Sequence, residues 1–89
     1  MSITITLHNS DVGDLFVSVA DLNLAGGPLI LTNQRINADQ TFPINVQEDG
    51  NGSGNVTWSA QRADDASKTA QRTTQVSSGS TVDVTTFFG

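Results

Sequence analysis

The chain has 89 residues and a mass of 9.4 kDa, with four basic against nine acidic side chains, a formal charge of −5 and a pI near 4.2. That length holds one domain, spanning residues 1–89, and a domain so small buries only about 60 per cent of the surface its unfolded chain exposes. The negative field repels phosphate backbones and anionic membranes, so neither nucleic acid nor membrane is expected as a partner. The absence of cysteine removes disulfides, thiolate metal sites and thiol chemistry.

The elements read in chain order as strand after strand. Met1 leads directly into Ser2 to Leu7, where Ile3, Ile5 and Leu7 alternate with Ser2, Thr4 and Thr6, the period of a half-buried strand. No signal peptide is expected from such a start, and no apolar run approaches the roughly 20 residues of a membrane span. The compartment is left open. His8 to Asp14 supplies turn residues, and Leu15, Val17 and Val19 mark a second strand with Phe16, Ser18 and Ala20 on its other face. Asp21 to Gly27 is a connection ending in Gly26-Gly27-Pro28, followed by the short apolar run Leu29-Ile30-Leu31 and a polar stretch from Asn33 to Gln40.

Thr41 to Gln47 alternates with Phe42, Ile44 and Val46 on one face, and Pro43, which cannot donate to a ladder, places this strand at an edge or starts it near that residue. Asn55 to Gln61 alternates with Val56, Trp58 and Ala60 in phase, which assigns the one tryptophan to the core. The Gly/Asn-rich connection between these two strands reads as a hairpin turn. Ala63 to Gln75 has helical charge spacing at Asp64, Lys68 and Arg72 but almost no large apolar residue to bury. An exposed hairpin around Asp64-Asp65-Ala66-Ser67 is therefore expected there. Ser80 to Phe88, with Val82 and Val84 on one face, closes the chain. The reading is all-β: a small single-domain β-sandwich of about seven short antiparallel strands, Greek-key or immunoglobulin-like, with a small barrel as the alternative.

Three constellations bear on function. Asp49-x-Asn51-x-Ser53-Gly54 repeats the first six positions of a calcium loop, yet Ala60 stands where the bidentate glutamate belongs. A weak site using Asp49, Asn51 and Ser53 would need a distant carboxylate from Asp11, Asp14 or Asp21. No metal or other cofactor is therefore assigned. His8 is the only histidine, beside Asn9 and Asp11, and reads as a solvated turn residue; no nucleophile lies in a strained-turn motif, so no catalytic residue is assigned and no enzyme is expected. Arg62, Lys68 and Arg72 cluster around Asp64 and Asp65 as locally neutralised surface charge.

The segment Gly52-Ser53-Gly54-Asn55-Val56-Thr57-Trp58 is loosely similar to a loop of chagasin-type cysteine-protease inhibitors. Its spacing is one residue longer and that family's N-terminal inhibitory loop has no counterpart, so the activity is not carried over.

Phe16 and Phe87 lie out of phase with their apolar neighbours and form candidate exposed aromatics. The functional expectation is a non-catalytic structural or interaction module, self-associating as a homo-oligomer through strand edges or these aromatics. The alternative is a lectin-type module that binds a carbohydrate or other ligand through the Asp49–Asn55 loop, with or without weak calcium binding. A protein or a carbohydrate is the expected class of external partner.

Overall fold

The computed structural model describes residues 2–86. Seven strands follow one another: β1 Ser2–Asn9, β2 Leu15–Asp21, β3 Leu29–Ile36, β4 Thr41–Gln47, β5 Ser53–Arg62, β6 Thr69–Ser77 and β7 Thr81–Val84. They form a three-stranded sheet in the order β4-β1-β7 and a four-stranded sheet in the order β3-β2-β5-β6. The two sheets pack face to face, an open sandwich and not a closed barrel.

Alternation drives this arrangement. Ile3, Ile5 and Leu7 of β1, Leu15, Val17 and Val19 of β2, and Val56, Trp58 and Ala60 of β5 all turn into one buried cluster with Val46, Val76 and Val84. Each fully buried aliphatic side chain contributes roughly 1.5–3 kcal/mol over leaving it in water. Trp58, 2% exposed, sits in this core as its sequence phase predicts.

Several expectations need correction. Thr41–Gln47 and the strand of Val56 and Trp58 do not form a hairpin, because β4 pairs with β1 while β5 pairs with β2 and β6. Both strands carry an inward apolar row, and on opposite sheets these rows meet in the common core. The Asp49–Asn55 connection is thus a crossing between sheets. The β1–β7 pair is parallel, since the chain enters β7 by a tight turn from β6 in the other sheet. β1 runs on through His8 and Asn9, and β3 runs on through polar Asn33 to Ile36, beyond the bounds that apolar alternation marks. In the immunoglobulin arrangement the third, sixth and seventh strands share a sheet; here β3 and β6 lie on opposite edges of one sheet and β7 in the other. The hairpin expected around Asp64–Ser67 does form, joining β5 to β6. The closing strand ends at Val84; Phe87 and Phe88 lie outside the described residues.

Buried polar side chains close both ends of the sandwich. At one end Asn9 donates from Nδ2 to the carbonyls of Gly13 (2.9 Å) and Ile36 (2.8 Å) and accepts from the Asp11 amide (2.9 Å). Asp11 accepts from the Val12 amide, from Arg62 Nη1 and, through Oδ2, from the Thr85 hydroxyl and from the amide and hydroxyl of Thr86. At the other end Asp21 accepts from the amides of Gln47 (2.7 Å) and Asn23 (3.1 Å). These bonds replace the water that burial strips from each carboxylate.

Candidate functional site

The outer face of the four-stranded sheet is made by the residues that alternate with the core. Cross-strand register sets Phe16 beside Gln61 and Thr69, Ser18 beside Ser59 and Gln71, and Ala20 beside Thr57 and Thr73. Neighbouring strands are about 4.8 Å apart and alternate residues about 6.8 Å, so these rows form a regular lattice of hydroxyl and amide groups. The Thr57 and Thr73 hydroxyls hydrogen-bond each other at 2.8 Å across it. Among these rows no side chain is charged; Arg35, paired with Phe16 on β3, is the cation at their margin.

A framed depression occupies one corner of this face. Phe16, Asn33 and Gln61 line a hollow of about 270 Å³. Asn33 stands in left-handed backbone conformation, φ 48°, at an irregularity where β3 carries extra residues opposite Val17 and Val19. Such bulges re-aim side chains, and asparagine tolerates positive φ better than most residues. Ser18 holds the distortion in place, its Oγ accepting from the Asn33 amide at 2.9 Å. The Arg35 guanidinium lies 5.8 Å from the Phe16 ring centroid and donates to Asp14 at 2.6 Å. That hydrogen bond and the Ala38 amide hold the Asp14 carboxyl below its ordinary range. The cation is tied down and largely compensated.

The sequence-derived candidates are placed as follows. The Asp49 carboxylate is turned onto its own loop, where Oδ1 accepts from the amides of Asn51 (2.9 Å) and Ser53 (3.4 Å). Gly54 serves packing: a Cβ there would stand 3.0 Å from Val46 Cγ2 and 3.3 Å from the Gln47 carbonyl. Of the three distant carboxylates, Asp21 lies at this end of β2 and is bonded to Gln47, whereas Asp14 and Asp11 precede the opposite end, bonded to Arg35 and Arg62. Among the described residues no three His, Asp or Glu side chains converge as a metal set.

His8 is a strand residue engaged on both ring nitrogens, Nδ1 with Asp83 at 3.0 Å and Nε2 with Asp39 at 2.9 Å. Neither nitrogen faces a hydroxyl that it would activate. Arg62 forks onto Asp64 (2.9 and 3.0 Å) and reaches Asp11, while Arg72 stands apart on β6, paired with Trp58. A hollow of about 350 Å³ lies between Ser10, Val12, Lys68 and Thr86, but its polar floor, Asp11 and Arg62, is paired internally. Phe16 is half-buried on the outer face and Phe87 lies outside the described residues.

Two features escaped the sequence reading. Asn33 and Gln61 carry no motif, and only the register brings them to Phe16. Leu22 and Leu24, exposed by 44% and 37%, fall in the Gly- and Pro-rich connection, and Leu29, in the apolar run that follows it, is 58% exposed. Comparison with protein-family models, with curated proteins and with solved structures finds no match for this chain.

Proposed function

We propose that this chain is a non-catalytic binding module that meets its ligand on the outer face of the four-stranded sheet. The observation that carries this reading is the Phe16–Asn33–Gln61 hollow, set beside strand rows without acidic side chains on a protein of net charge −5. The reading is tested by retention on arrays of immobilised glycans and proteins. Ser59→Arg, which puts bulk and charge on the face, is expected to abolish the wild-type signals, and Thr4→Arg, on the opposite sheet, to spare them. Signals that survive Ser59→Arg would sink the proposal.

Self-association through strand edges is less well supported, because every edge carries a feature that blunts it. β4 has Pro43, β3 is bulged at Asn33, β7 is only four residues long, and β6 places Arg72 at the inward position paired with Trp58. A second reading, homo-oligomerisation, rests instead on the exposed Leu22, Leu24 and Leu29. A light-scattering mass above 9.4 kDa that returns to 9.4 kDa in Leu29→Asp would favour it; a monomeric wild type at high concentration would remove it.

A further inference from the structure

We infer that the Phe16 face takes an uncharged polysaccharide, one sugar ring seated over Phe16 between Asn33 and Gln61 and the chain running on across the Ser18–Ser59–Gln71 row. This deepens the binding-module reading and rests on it.

The chemistry of the hollow narrows its occupant. A pyranose ring presents C–H groups on its faces and hydroxyls around its rim, and each hydroxyl both donates and accepts. The Phe16 ring suits the C–H face where the Arg35 guanidinium, lying over the ring at 5.8 Å from its centroid, leaves it open. Asn33 and Gln61 suit the rim, because an amide offers donors and an acceptor together whereas a carboxylate only accepts. Gln61 is held only weakly by the protein, its Nε2 lying 3.4 Å from the Ala66 carbonyl. Asn33 is fixed by its backbone and by Ser18, so one wall is rigid and the other adjustable.

Charge excludes the main competitors. An anionic glycan would need several free cations, and the cation at this face, Arg35, is bonded to Asp14 at 2.6 Å. A cationic ligand would find no carboxylate among the face rows. An apolar peptide or lipid surface would bury the Gln61 and Gln71 amides and the Ser59 hydroxyl, at a cost of about 1–3 kcal/mol for each group left unsatisfied. A neutral polyhydroxylated chain satisfies those groups. The row beyond the hollow argues for a polymer over a single sugar, since one shallow hollow buries little and the next register step, Ser18–Ser59–Gln71, offers further hydroxyl and amide groups.

The test is co-sedimentation with cellulose, insoluble β-1,3-glucan, starch and mannan, beside gel retardation in alginate and heparin. Wild type is compared with Phe16→Ser, Gln61→Ala and Asp49→Ala, each checked for native Trp58 emission. The inference expects retention by at least one neutral polysaccharide, unaffected by salt and weakened about tenfold by Phe16→Ser, near the upper range for a lost aromatic contact. Gln61→Ala should weaken it too, Asp49→Ala should not, and alginate and heparin should retard nothing. No retention by the four neutral polysaccharides, or retention by the anionic ones alone, overturns the inference. In that event a protein partner or second copy released by Phe16→Ser would leave the face reading standing. Retention lost in Asp49→Ala and kept in Phe16→Ser overturns both.

Discussion

His8 and Asp83 face each other across the parallel β1–β7 pair, Nδ1 to Oδ1 at 3.0 Å, while the far nitrogen of the same ring meets Asp39 at 2.9 Å. A neutral imidazole has one N–H, so only the imidazolium donates to both carboxylates. The hydrogen bonds to Asp39 and then Asp83 raise the His8 pKa above its ordinary value, against a smaller opposing effect of desolvation.

A raised folded-state pKa gives stability that is fully present below the unfolded value, near 6.5, and lost as pH climbs through the folded value. The thermal midpoint should therefore fall from pH 6 upward through the His8 titration. His8→Gln should flatten that fall, and Asp83→Asn should bring the NMR-measured His8 pKa down. A His8 pKa unmoved by Asp83→Asn would refute the clamp.

Asp11 predicts the opposite pH behaviour. Burial pushes its carboxyl up, but the hydrogen bonds from Thr86, Val12 and Thr85 outweigh burial and hold the pKa at about 2. With the side chain only 1% exposed, the drop from 3.8 corresponds to about 2 kcal/mol at neutral pH, retained above pH 4 and lost on acidification toward pH 2. Asp11→Asn should remove a similar amount in urea denaturation at pH 7 and make stability less acid-sensitive. Equal acid sensitivity in wild type and variant would contradict this assignment.

Gly54→Ala should cost about 1–3 kcal/mol by overpacking against Val46, the Gln47 carbonyl and Val76. Part of that cost should be relieved in a Val46→Ala background, since the two positions touch. Additive costs in the double mutant would show that the glycine is needed for some other reason.

Restoring edge competence should create association beyond that of the wild type. Pro43→Thr with Arg72→Val removes the blunting features of β4 and β6, and light scattering should then show growing, concentration-dependent mass. A double mutant that stays as the wild type would mean these residues do not guard the edges.

The strands were legible wherever apolar residues alternate, as in Ile3-Ile5-Leu7 and Val56-Trp58-Ala60, because burial on one face dictates that period. Pairing was not. Nothing local tells Phe42-Ile44-Val46 to cross to the opposite sheet instead of folding back on Val56, since either arrangement buries the same row. β3 was foreshortened because its polar half, Asn33 to Arg35, carries no alternation and follows a bulge. Phe16 was legible as an outer-face aromatic by phase alone. Its companions Asn33 and Gln61, 17 and 45 positions away, become neighbours only through the β2–β3 and β2–β5 registers. The residues that give the calcium-loop spacing also have local roles: Asp49 caps its own turn and Gly54 makes room for Val46.

The most direct measurement is amide chemical-shift mapping of the isotope-labelled protein during titration with a soluble oligosaccharide of the neutral polysaccharide that retains it best, or with the set of soluble cello-, laminari-, malto- and manno-oligosaccharides. The account predicts that the largest shifts fall on Phe16 to Ala20, Asn33 and Arg35, Thr57 to Gln61 and Thr69 to Thr73, and that they vanish in Phe16→Ser. Largest shifts on the Asp49–Asn55 loop or on Leu22 to Leu29, or no shifts at all, would contradict it.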